Sequence, residues 1–162
     1  MGRSGVFKLK NILIVLAVIL PIFMVAASGS RTNPKVERTI SWDSPETEEL
    51  FYKACANCHS YETKWPWYSY VAPASWLVIR NVNHAREEFN ISSENLGEAD
   101  EAAEKLSEDK MPPWDYLLLH GEAKLSAQQK EKLVAGLEKT FGRKHEAGEG
   151  AADDDDDSHD DH

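Results

Sequence analysis

Cysteine is scarce in this chain: among 162 residues there are two, Cys55 and Cys58, three positions apart. That scarcity excludes a scaffold stapled by several disulfides, and it leaves a zinc site without a second pair of thiolates. His84, His120 and His145 are too widely spaced in the sequence to supply the closely spaced histidines such a site uses instead. Methionine is almost as rare. Outside the N-terminal stretch 1–27, which takes in Met1 and Met24, Met111 stands alone. Positive charge is also in deficit, with 18 Lys and Arg against 28 Asp and Glu and a formal net charge of −10. Such a balance argues against nucleic acid and favours a partner with a basic docking face. The imbalance is uneven: setting aside three basic residues in 1–27 and nine acidic ones in 146–162 leaves 15 basic and 19 acidic side chains between.

Both cysteines fall within Cys55-Ala56-Asn57-Cys58-His59. Two thiols on one helical turn can add across the two vinyl groups of a haem, and the residue that follows offers an imidazole to the iron. The stretch therefore reads as a c-type attachment site for one covalent haem, with Cys55 and Cys58 binding the porphyrin and His59 the metal. A thioredoxin-like dithiol would sit at a strand end in a βαβ pattern, and no such pattern surrounds it. For the opposite face of the iron the candidate is Met111, in Lys110-Met111-Pro112-Pro113-Trp114, where two prolines limit how far the thioether swings. Filling a core gap is the ordinary use of such a residue. His120, after Tyr116-Leu117-Leu118-Leu119, is its main competitor.

Arg3, Lys8 and Lys10 precede an apolar run from Ile12 to Ala27, so residues 1–27 read as a signal-anchor or signal peptide with everything after it exported. Sixteen residues rise about 24 Å, slightly short of a hydrocarbon core of about 30 Å. Val25-Ala26-Ala27 also resembles the small residues before a cleavage site, and retention as an anchor in the cytoplasmic membrane is the preferred reading. Residues 28–43 read as a polar tether that lifts the domain without packing much, and 44–145 as the haem-binding domain. Residues 146–162, with their Asp and His run, read as a disordered acidic tail.

Within the domain, Ser44-Pro45-Glu46 starts a helix whose apolar face, through Leu50, Phe51 and Ala54, carries both thiols. Tyr61, Trp65, Trp67, Tyr68, Tyr70 and Trp76 follow among prolines, a loop suited to wrap a large flat apolar ligand and offer indole N–H groups to propionates or carbonyls. A second helix runs from Ala74 to about Phe89, with Leu77, Val78, Val82 and Ala85 inward. In it, Arg80 and Arg86 are candidate propionate partners whose commoner fate is solvation, and His84 reads as a surface residue. A weaker third helix begins at Ser92-Ser93-Glu94, and a last one at Ser126 carries the stripe Leu133, Val134, Leu137 and Phe141 before Gly142.

Six segments together resemble the small haem-binding domain family of bacterial membrane-anchored c-type cytochromes. They are Ser44-Pro45-Glu46-Thr47, Ala54 to Ser60, Glu62-Thr63-Lys64-Trp65-Pro66-Trp67-Tyr68, Ala72-Pro73-Ala74-Ser75-Trp76, Met111-Pro112-Pro113-Trp114 and Ala123-Lys124-Leu125-Ser126. The resemblance covers about residues 33–141 and implies haem on Cys55 and Cys58, iron on His59, and an anchored, exported domain. Gly121 departs from the proline that the family tends to place after the histidine, and His84 falls at a variable position.

The expected fold is all-α, a small cytochrome-c-like helical domain around one covalent haem. The expected function is one-electron transfer, not enzymatic catalysis, on the periplasmic or extracytoplasmic side. A redox protein and the cytochrome c maturation machinery would be its partners. The alternative is a haem-based peroxidase or a gas or redox sensor whose distal position is open or weakly held.

Overall fold

The computed structural model describes residues 3–143, and side chains from Lys10 onward. The tail 146–162 and the last two residues of the expected domain lie outside the described residues. Seven α-helices follow in order: α1 Arg3–Ala26, α2 Pro45–Ala54, α3 Ala56–His59, α4 Ala74–Glu88, α5 Ala102–Ser107, α6 Trp114–Leu119 and α7 Ala127–Phe141. Single 3-10 turns occupy Trp67–Tyr70, Ala99–Glu101 and Gly121–Ala123. Among the described residues there is no strand, only an isolated bridge between Phe89 and Gly97, so the fold is all-α as expected.

The helix starts are where capping chemistry puts them. Ser44 Oγ accepts from the Thr47 amide ahead of α2, with Pro45 in the first turn, and Ser126 and Gln129 bond each other reciprocally at the start of α7. The two helices pack so closely that a Cβ on Gly136 would stand 2.0 Å from Thr47 Oγ1. Between and beneath them, Leu50, Phe51, Phe89, Ile91, Ala103, Leu106, Leu133 and Leu137 form the core. Trp42 and Phe141 close it, their rings 5.7 Å apart, with Trp42 also 5.0 Å from Phe51.

Three expectations are corrected. The thiols do not ride on one continuous first helix: α2 stops at Ala54, Cys55 takes φ −122°, and the motif forms its own short turn, α3. The third helix does not begin at Ser92. Asn90 Oδ1 accepts from the Ser92 amide and Asn95 Oδ1 from the Gly97 amide, so these side chains hold a turn in place of a helix until Ala99. Gly97 takes φ +70° there, and a Cβ would meet the Glu88 carbonyl oxygen at 2.2 Å. Leu77, expected inward on α4, is exposed.

Residues 28–43 also pack more than a tether does. Arg31 donates to the Ser69 carbonyl, Asn33 to the Thr63 carbonyl, and the Glu37 amide to the Ser92 carbonyl, while Ile40 and Trp42 join the core. On α1, the large apolar residues from Ile12 to Val25, apart from the half-buried Met24, face outward. No helix among the described residues is long and apolar enough to cross a membrane.

Candidate functional site

In α3 the amides of Cys58 and His59 both reach the Cys55 carbonyl, which places the two thiols on a single turn. Neighbouring elements clamp that turn. Thr63 Oγ1 donates to the Asn57 carbonyl (2.8 Å), Asn57 Oδ1 accepts from the Lys64 amide (3.1 Å), and the Ile91 amide donates to the His59 carbonyl (3.0 Å). Arg86 fixes the next residue through Nε to the Ser60 carbonyl, and its remaining donors go to the Thr32 carbonyl, Asn33 Oδ1 and Thr63 Oγ1. Arg86 is therefore neither a solvated helix charge nor held ready for a propionate; it ties α4, the loop after the motif and residues 32–33 together.

His59 Nδ1 lies 2.9 Å from the Phe89 carbonyl oxygen. A carbonyl only accepts, so Nδ1 carries the proton and Nε2 holds the lone pair that a metal takes. Burial holds the imidazole below its ordinary pKa, against the opposing pull of the Phe89 and Ala85 carbonyls. The thiols are free, and burial pushes Cys55 up to about 12. Cys58 rises to about 11, burial outweighing the Arg86 charge that favours its thiolate. A redox dithiol needs the reverse, a thiolate stabilised near neutral pH. Zinc fares no better: among the described residues no group of three or more His, Cys, Asp or Glu gathers to hold a metal.

A second cluster reaches the motif through Asn57, whose Nδ2 donates to Tyr116 Oη at 3.2 Å. The Tyr116 ring stacks on His120, centroids 4.1 Å apart. His120 Nδ1 faces Glu122 Oε1 at 2.9 Å and its Nε2 faces Tyr68 Oη at 2.7 Å. A carboxylate at Nδ1 sets the tautomer, so Nε2 accepts the Tyr68 proton. Burial raises both phenols above their ordinary pKa, and the thiol of Cys58 and the Glu122 carboxylate push the same way.

Met111 lies apart from this cluster, in the segment between α5 and α6. It lines a groove of about 620 Å³ with Leu106, Pro112, Trp114, Leu117 and Leu125. Beside Tyr68 stands Trp67, 78% exposed, and the residues leading to His120 include Trp114, 76% exposed, with Leu118 and Leu119 also facing out. Apolar surface of this size on a small domain marks a place where something apolar sits. His84 stands on the surface 4.0 Å from Glu88, as expected of it. Of the indoles, Trp76 Nε1 donates to a backbone carbonyl, that of Ala27, as expected, whereas Trp65 Nε1 donates to a side chain, Asn33 Oδ1.

Two thiols on one turn, an imidazole aimed by its Nδ1 partner and an uncovered apolar surface nearby fit a haem. A family model described as a haem-binding domain matches residues 13–139. The chain belongs to the haem-binding domain family. No curated protein and no solved structure matches it. The haem-binding domain so defined begins inside α1 and ends inside α7, enclosing the Cys55–His59 motif, the aromatic loop and the Met111–His120 segment. Several residues that shape its site escaped sequence reasoning. Asn57 sits at a variable position of the motif, and the Phe89 carbonyl is a group every residue has, so neither left a signal. The His120–Glu122 pair was readable as two polar side chains two residues apart, but its Tyr68 partner lies 52 residues away.

Proposed function

We propose that this haem-binding protein is a c-type cytochrome that carries one electron at a time. In this reading Cys55 and Cys58 hold one haem through thioether bonds, and His59 and Met111 ligate its iron. The haem supplies the one-electron change of valence at iron. The chain's own residues do the rest. The Phe89 carbonyl, by accepting from His59 Nδ1, fixes the imidazole and raises its strength as a ligand. Thr63, Arg86 and the Ile91 amide keep the motif's turn from shifting. Trp67, Trp114, Leu118 and Leu119 exclude water from an apolar face laid on them.

The observation that carries this reading is the His59–Phe89 hydrogen bond next to two protonated thiols on the same turn. Export follows from Arg3, Lys8 and Lys10 ahead of an apolar run whose side chains face outward; left in water, that surface is unfavourable by about 25 cal/mol for each Å². The domain therefore sits on the periplasmic or extracytoplasmic side, held at the cytoplasmic membrane by Ile12–Ala27. It receives its haem from the cytochrome c maturation machinery and exchanges electrons with a redox protein of basic docking face. Mass spectrometry of the chain produced with that machinery tests the assignment: the expected result is a mass gain of one haem, lost when Cys55 and Cys58 are both replaced by Ala. Unmodified sulfurs in the mature chain overturn it.

A further inference from the structure

The joint between α1 and the domain leaves no slack. The Ala72 amide donates to the Met24 carbonyl (3.1 Å), Trp76 Nε1 to the Ala27 carbonyl (2.6 Å), and Arg31 to both Ser28 Oγ and the Ser69 carbonyl. Gly29 takes φ +78°, and a Cβ on it would stand 3.2 Å from Ile79 Cδ1, so the chain after α1 lies directly on α4. At this joint three large side chains face outward: Trp76 at 54%, Leu77 at 55% and Tyr70 at 47% exposure. The Trp76 indole is bonded to Ala27, the first residue past α1, so Trp76 stands beside the end of that helix's exposed apolar surface.

We propose that this face, Trp76, Leu77 and Tyr70, rests in the headgroup region of the bilayer that holds α1, so that the domain lies against the membrane in one fixed orientation. The inference depends on the membrane-held reading of α1 given above. Three observations favour lipid as the occupant. The apolar run of α1 rises about 24 Å against a core of about 30 Å, and interfacial side chains at the end of so short a membrane-held segment make up the difference. Tryptophan and tyrosine are the residues that suit this depth, an apolar body with one polar group. Cationic groups stand beside them: Arg31 lies 4.2 Å above the Tyr70 ring, and the exposed Arg80 follows Trp76 by four residues on the same side of α4, within reach of phosphate.

The test uses the full-length holoprotein in vesicles of phosphatidylethanolamine and phosphatidylglycerol containing a phospholipid with a photoactivatable diazirine near its glycerol. Labelled peptides are then mapped by mass spectrometry. The expected result is label on α1 and on residues 70–80, with none on 111–120. Leu77→Glu, a change at an exposed position, is expected to abolish label on 70–80 while α1 remains labelled. Label on α1 with none on 70–80, or equal label on 111–120, overturns the fixed orientation and leaves the membrane attachment standing. No label on α1 overturns the attachment and this inference together.

Discussion

Met111 and His120 compete for one role, and their surroundings differ. Both ring nitrogens of His120 are in use, one facing Glu122 and the other taking the Tyr68 proton. To reach an iron the imidazole must release Tyr68, and an unpaired, partly buried hydroxyl costs about 1–3 kcal/mol. The Met111 thioether gives up no hydrogen bond by turning. Met111→Ala is therefore expected to convert a low-spin ferric spectrum to a high-spin one and to admit carbon monoxide to the ferrous protein, while His120→Ala stays low-spin. The reverse pattern assigns the position to His120, and a high-spin wild-type protein favours the peroxidase or sensor alternative. At this scale the sequence was informative wherever the chemistry sat in side chains at fixed spacing, as in Cys55, Cys58 and His59. It was silent on Phe89, whose contribution is a main-chain oxygen. It misled on Arg86, because a charge on a helix gives no sign that two other segments will converge on it.

Among the elements, the starts of α2 and α7 could be read from Ser44, Pro45, Ser126 and Gln129, since capping is decided within four residues. The break at Cys55 and the turn at 90–98 could not: the Ile91 amide reaches His59 from 32 residues away, and the local bonds of Asn90 and Asn95 act together with the packing of Gly97 against Glu88. The crossing of α2 and α7 was expected, but its closeness rests on Gly136, a residue that helical propensity alone would replace by Ala for a gain of about 1 kcal/mol. Here the sign reverses. The added methyl would meet Thr47 Oγ1 at 2.0 Å and Cγ2 at 2.6 Å, and overpacking of this kind costs about 1–3 kcal/mol. Gly136→Ala is expected to lower the thermal midpoint, and adding Thr47→Ala to restore part of it, since only the Thr47 Cβ, 2.9 Å away, then remains in the way. An unchanged midpoint in the single variant would mean that α2 and α7 are not in this contact.

For the whole molecule, the negative balance sets how stability responds to alkali. The Tyr52 phenol is pushed up to about 12, first by burial and then by its hydrogen bond to Glu62 and the charges of Glu62 and Glu48. Tyr68 and Tyr116 move in the same direction. A phenol that keeps its proton when folded but loses it near pH 10 when unfolded means that the unfolded chain binds fewer protons above that pH, so stability falls as pH rises from about 10 towards 12. Self-repulsion in a chain already at −10 adds to the fall. In the proposed thioether-linked form Cys55 and Cys58 drop out of this titration. Tyr52→Phe should therefore flatten the alkaline limb of a plot of urea midpoint against pH, and a limb of unchanged slope would remove Tyr52 as a cause.

Helix α4 has a part at each end. Its first turn carries Trp76, bonded to the residue just past α1, and the residue just beyond its last turn, Phe89, supplies the oxygen that aims His59. Fifteen residues of helix make a strut of about 22 Å between these two points. In the proposed membrane-held protein, a tilt imposed at the α1 end of this strut moves, lever-fashion, the oxygen that aims His59, and the rotation of that ring becomes a gauge of the domain's orientation.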